Sequence, residues 1–251
     1  MPALGQGRLH GECLMAGECD RCGECCRRST PALHEEDLKL IGESGGLDLV
    51  HLVTFRRGEL VHDQVRGVLA PLHEEVVKLR SRPHSWECFF LNEDSGDGAG
   101  CGRYEQRPLE CKLLLCKNPA PLAEAYATGR ITRLDIVGGH GAVAELIAAH
   151  EDQCGYEELA AWARRLHLDA SNREAAETIL AAVHFDARAR EILTGRLPEM
   201  NEEDRAAVAA CCLGRPLAET LSMFGLSIAR QEDGAIRLSA SGTIHHPAAR
   251  P

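Results

Sequence analysis

Aromatic residues are scarce in this chain. Only 4% of its 251 residues are Phe, Trp or Tyr, so few large rings are available to anchor a core. Runs of basic residues are missing as well. The nearest thing to one, Lys78, Arg80 and Arg82, alternates with apolar or small residues and reads as a solvated helix end. Lys and Arg total 28 against 38 Asp and Glu, a formal charge of −10. An acidic chain gains no general electrostatic attraction to nucleic acid or anionic lipid, and neither is expected as a partner. No apolar run approaches the roughly 20 residues needed to cross a bilayer. The first residues, MPALGQGRLHGECLMAGEC, lack a charged start followed by an apolar stretch, so no secretory leader is expected. Leu14 to Cys19 has a faint likeness to a lipoprotein cleavage site. Glu18 directly before the Cys and the absence of a preceding apolar region argue against it. A cytoplasmic location is the expectation. Also absent are a nucleophile elbow, a kinase motif set and H-E-x-x-H. The radical-type spacing C-x-x-x-C-x-x-C starts at Cys22 and Cys26 but meets Ser29 at its third position.

What the chain does have is cysteine: 12 of them, in an ordinary globular background of 44% hydrophobic and 26% charged residues. Its length suffices for one large domain or two small ones. Nine of the cysteines lie at or before Cys116: Cys13, Cys19, Cys22, Cys25, Cys26, Cys88, Cys101, Cys111 and Cys116. In a reducing compartment, clustered thiols point to metal more than to disulfides.

Composition changes near Asn118-Pro119-Ala120-Pro121, which divides the chain into residues 13–118 and 119–244. In the first part, Thr30-Pro31 reads as an N-cap with Pro at the first helical position. A helix through Leu38 and Ile41 should follow and stop near Gly45-Gly46. Leu49 to Leu72 alternates apolar and polar in pieces. Short strands should result, with turns at Arg57-Gly58 and Arg66-Gly67. Asn92 to Gly100 is a Gly- and Asp-rich loop. The second part is rich in Ala, Leu, Glu and Arg at helical spacing. Helices are expected over 140–151, 156–167, 172–193 and 202–213, the third opened by a Ser171–Glu174 capping box. LSIAR-QEDG-AIRLSA should form a hairpin turning at Asp233-Gly234, and the end from His245 should fray. The fold class is α+β: a loop-rich, metal-stapled first domain, then a mainly helical region ending in a hairpin.

Two cysteine blocks carry the chemistry. The first is Cys19-Asp-Arg-Cys22-Gly-Glu-Cys25-Cys26. Two residues between thiolates let both sulfurs face one metal as the backbone turns, and Gly23 suits that turn because it accepts positive φ. The second comprises Cys88, Cys101, Cys111 and Cys116. Zinc takes four tetrahedral thiolate or imidazole ligands, and iron–sulfur clusters usually take four thiolates. Eight thiols close two such sites, or one site and a redox pair. Cys19-x-x-Cys22-x-x-Cys25 matches the start of a bacterial ferredoxin run, which tips the choice slightly to iron–sulfur over zinc. Adjacent Cys25 and Cys26 do not easily point at one mononuclear ion, so one of them is expected to serve a second metal or a bridging position.

The order C-x-x-C-x-x-C-C, then C-x-F-L, then G-C-x-x-Y-x-x-R-P-x-x-C and a final Cys resembles the YkgJ-like cysteine-cluster family, whose domain is described as zinc- or iron-chelating. A related motif occurs in flagellin lysine N-methylases, where an iron–sulfur cluster is expected. The resemblance implies Cys19, Cys22, Cys25, Cys26, Cys88, Cys101, Cys111 and Cys116 as metal-ligand candidates. Arg107 and Tyr104 are the candidate contacts of the bound cofactor: Arg107 either bonds metal-bound sulfur or offsets thiolate charge, or is a surface Arg before a rigid turn, and Tyr104 either contacts the cofactor or packs against the site. This chain departs from the pattern at Arg103, Lys112 and Leu113-Leu114, and in the length of its Asn92–Gly100 loop.

Weaker signals read as packing. His150 and Cys154 share a helical face and read as a helix-end His and a small buried Cys. Cys211-Cys212 lies in an apolar helix. His140 and His184 have no partner in the pattern. Three functions stay open: a metal-binding module with an iron–sulfur cluster or zinc, an iron–sulfur-dependent redox or group-transfer enzyme, and a metal or sulfur chaperone with exchangeable thiolates. The helical part is the candidate surface for a protein partner, and metal ions are the expected ligands.

Overall fold

The computed structural model describes residues 19, 21–63, 67–92, 100–115, 118–230 and 236–240. Its cysteine-rich beginning forms a one-turn helix, α1 (Glu24–Arg28), and a 3₁₀ helix over Glu35–Leu40. Four short strands follow: β1 (Leu52–Phe55), β2 (Leu60–Asp63), β3 (Val68–Pro71) and β4 (Val76–Leu79). β1 pairs antiparallel with β4, Leu52 opposite Leu79 and Phe55 opposite Val76. The β2–β3 hairpin lies between them in sequence. β5 (Leu91–Asn92) and β6 (Gly100–Cys101) flank the acidic loop, whose residues 93–99 lie outside the described residues.

Short helices α2 (Leu109–Leu113), α3 (Ala120–Ala125) and α4 (Arg133–Val137) lead into four longer ones. These are α5 (Ala142–Cys154), α6 (Tyr156–Leu168), α7 (Arg173–Thr194) and α8 (Glu202–Leu213). Each answers an expected helix to within a few residues, because an apolar stripe recurs every three or four positions. α9 (Leu217–Thr220) and a 3₁₀ turn precede the terminal pair β7 (Leu226–Arg230) and β8 (Ile236–Ala240). Arg230 stands opposite Ile236, while the Asp233-Gly234 turn, Arg66 and the end from His245 lie outside the described residues. Helix and small antiparallel sheets together make an α+β fold.

Three expectations are corrected. Thr30-Pro31 caps no helix: the segment runs extended along β4, with Leu33 N–H donating to Val77 O at 2.9 Å and Leu79 N–H to Pro31 O at 3.1 Å. The 3₁₀ helix that follows starts later, at Glu35, capped by His34 and Asp37. Lys78 is no helix end either. It sits within β4, donates to Ser29 Oγ at 3.3 Å, and burial pulls its pKa down. Finally, Asn172 caps α7 by accepting the Ala175 N–H at 3.0 Å, while Ser171 turns back to Asp169.

Three apolar clusters form the interior, and none stays on one side of Asn118. One gathers Tyr156, Ile179, Leu217 and Leu221 with Leu60 from β2 against it. A second joins Leu33, Leu52 and Val77 to Ile131 and Cys211. The third is built on α5, α7 and α8, with Leu49 and Val50 packed on it. α8 lies across β1, where Thr54 Oγ1 donates to Cys211 O.

Buried ions reinforce this packing. Arg56 is 0% exposed and reaches Glu151 at 3.3 Å and Cys154 O at 3.2 Å. Its guanidinium also lies 4.2 Å from the Tyr156 ring centroid. Burial works against its charge, but Tyr156 and Glu151 outweigh it and hold the pKa above normal. The side chain passes over Gly214, where a Cβ would stand 2.8 Å from Arg56 Cγ, so only glycine fits. Arg133 bridges Glu75, Glu151 and Cys212 O. Glu59, 0% exposed, meets Arg215 at 2.6 Å. In the same helical layer Asp186 takes His150 Nε2–H at 2.8 Å, Arg190 and the Leu217 N–H. Burial opposes ionisation of Asp186, yet His150 and Arg190 draw its pKa down to about 2.

Candidate metal centre

The first block turns where its glycine permits. Gly23 has φ 77° and is buried between Cys22 and α1, a conformation that a Cβ would disfavour. Arg27 Nη1 donates to Cys22 O at 3.1 Å and fixes that turn. Cys25 and Cys26 begin α1, with their sulfurs 3.9 Å apart. Thiolates sharing a tetrahedral zinc stand about 3.8 Å from one another, given zinc–sulfur bonds of about 2.3 Å. The adjacent pair thus turns to one side, a separation compatible with a shared ion.

The second block is brought to the first by the backbone. Cys88 N–H donates to Cys26 O at 2.7 Å, and Cys101 sits on β6 opposite Leu91. Cys111 is on α2. That short helix is anchored by Glu110, whose carboxylate accepts the Ala32 N–H at 2.7 Å and approaches His34 Nε2 at 3.4 Å. Asp37 accepts the Leu109 N–H at 2.9 Å at its first turn.

These elements enclose a cavity of about 330 Å³. Six cysteines line it: Cys19, Cys22, Cys25, Cys26, Cys101 and Cys111. Cys88 is buried beside them, close enough that its charge acts on both Cys26 and Cys111. Cys116 lies outside the described residues. The Cys26 thiol is pushed far up by its hydrogen bond to Cys25 and by burial, and burial raises Cys111 and Cys88. Crowded thiols hold their protons until a cation compensates them.

Tyr104 and Arg107 are on the same wall. Arg107 Nε donates to Tyr104 O at 2.9 Å. Arg107 and Arg21 each place Cζ 3.7 Å from the Tyr104 centroid, so the ring is held between two guanidiniums. Arg21 has φ 57°, an unusual conformation for a residue with a side chain. It had no signal in the sequence: its place depends on a ring more than 80 residues away. Glu24 and Arg28, also on the wall, pair with each other.

Residues 18–127 match the CxxCxxCC family model. Its description is "putative zinc- or iron-chelating domain". No curated protein and no solved structure matches the chain. The cavity lies within the CxxCxxCC region, and metal binding is the property that this match supports. Its donors are chemically suited to zinc or an iron–sulfur cluster, being all thiols with no histidine among them. In position they ring the cavity: among the described residues, no three His, Cys, Asp or Glu side chains are gathered so as to hold a metal ion. His150 and Cys154 are not joined. His150 turns to Asp186, and the Cys154 thiol donates to Ala182 O at 3.4 Å. Cys211 and Cys212 are core residues, 0% and 1% exposed. Among the described residues no helix is long and apolar enough to cross a membrane.

Proposed function

We propose that the CxxCxxCC region holds an iron–sulfur cluster on the thiols of this cavity. The supporting observation is convergence: six cysteines from the Cys19–Cys26 turn, β6 and α2 line one small space, with Cys88 behind them. Four come from Cys19, Cys22, Cys25 and Cys26, the others from Cys88, Cys101 and Cys111, with Cys116 as the eighth ligand candidate. Such a cluster supplies one-electron redox chemistry and thiolate cross-links between segments. Arg21 and Arg107 place positive charge beside the sulfurs, and Tyr104 keeps both guanidiniums in position. The region through residue 118 is the metal-bearing unit, and the helical remainder supports it. In this reading the module is structural or sensing, and metal supplies part of its folding energy. Zinc is the second reading, favoured by the 3.9 Å separation of Cys25 and Cys26.

Anaerobic purification followed by metal and sulfide analysis and a visible spectrum tests the proposal. Iron and sulfide in equal amounts with a broad absorption in the blue are expected. Colourless protein carrying two zinc per chain would overturn the cluster and leave the zinc reading. Cys22→Ser should lower the metal content; unchanged content would remove Cys22 from the ligand set.

A further inference from the structure

A second cavity has no thiol in it. It measures about 870 Å³ and lies where the β2–β3 region meets α6 and the 3₁₀ turn Leu221–Phe224. Small-molecule sites typically fall between about 300 and 1,000 Å³ and are mostly apolar with a few polar groups. Here the floor is Leu60, Tyr156, Ala163 and Met223. Tyr156, Ala163 and Met223 are each 2% exposed. The polar atoms of that floor are already used. The Tyr156 hydroxyl bonds Thr220 at 3.0 Å, and Met223 Sδ accepts the Leu60 N–H at 3.3 Å. The floor therefore suits an apolar body and asks for no hydrogen bond from it.

Charge is confined to the ends. Tyr156, Ala160, Ala163, Arg164 and His167 recur at three- and four-residue steps, so one face of α6 runs along the cavity. At its start the Arg57–Glu157 pair, 2.7 Å apart, neutralises itself. Two to three turns on stand Arg164 and His167, with His73 also on the wall. His167 Nε2 is bonded to Phe224 O at 2.7 Å, which holds the ring in place. Among the described residues no carboxylate forms an ion pair with Arg164.

We propose that this cavity is a binding site for a small amphiphile with an apolar body and an anionic head. The body lies over Tyr156 and Ala163, and the head is set at Arg164. The site is independent of the metal centre.

Three ten-carbon probes with different heads test it: decanoate, decanol and decyltrimethylammonium, each titrated calorimetrically below its micelle concentration or, for decanol, its solubility limit. Decanoate should bind one per chain, decanol at least tenfold more weakly, and the ammonium not at all. Ala160→Trp should obstruct the cavity beside Ala163 and abolish decanoate binding. Arg164→Glu, an exposed change that leaves the floor intact, should weaken decanoate at least tenfold and admit the ammonium. The proposal is overturned by absence of saturable decanoate binding, by equal binding of all three probes, or by Arg164→Glu leaving their order unchanged.

Discussion

Cysteine occurs in two settings in this molecule. Around the 330 Å³ cavity, Cys22 and Cys25 are exposed and Cys19, Cys26, Cys101 and Cys111 half-buried, all on one-turn helices, two-residue strands or turns. In the helical part Cys154, Cys211 and Cys212 are buried within α5 and α8. The first group gains little from packing, and its short elements do not hold themselves together by helix propagation. The second group fills space as small hydrophobes do. The stability of the two regions should therefore answer to different agents: ligation in one, burial and buried ion pairs in the other.

The strongest way to break this contrast is in the helical layer. Asp186→Ala removes the acceptor of His150, Arg190 and the Leu217 N–H and should cost about 3 kcal/mol or more, read by urea unfolding, with metal content unchanged. Loss of metal with this substitution would show that the two regions depend on one another more tightly than proposed. A matched pair of cysteine variants comes next. Cys25→Ser should lower bound metal per chain measurably, whereas Cys212→Ala should leave metal in place and cost about 1 kcal/mol. Equal metal loss in both would erase the distinction between the two settings.

Acid should act on the helical layer as well. Burial lowers the His150 pKa from its ordinary value of 6.5 despite the bond to Asp186. A depressed histidine is neutral in the folded chain and takes up its proton more readily when unfolded. Its contribution is thus fully present above pH 6.5 and lost as pH falls below it. Asp186, held at about 2, contributes above its unfolded value near 3.9, and that part is lost as pH falls toward 2. Melting temperature should decline from pH 7 to 5 and again below 4, and His150→Gln should flatten the first decline. The smallest effect is at Tyr156→Phe, which removes the hydroxyl bonded to Thr220. About 1 kcal/mol should be lost, with no change in metal.

The four long helices were legible because their apolar residues recur at helical spacing over three or more turns. The cysteine blocks were legible because eight thiols in order have few other readings. β4 was not, because Lys78 and Arg80 resemble a solvated stretch until pairing with β1 buries Val76, Val77 and Leu79. Arg56, Arg133, Glu59 and Asp186 escaped for a related reason. A charged residue reads as surface, and nothing local announces that its partner lies 95 residues away, as Glu151 does from Arg56. Arg21 beside Tyr104 is a tertiary arrangement of the same kind.

The bond from Thr54 to the carbonyl of Cys211 spans 157 residues. During synthesis, β1 leaves the ribosome long before α8 does. The part of its buried face that α8 covers stays open until most of the chain has been made, and closing so distant a contact is slow. The cysteine turn thus emerges early and waits. Throughout that interval its thiols should be open to a passing metal donor, or to oxidation, before α8 closes over β1.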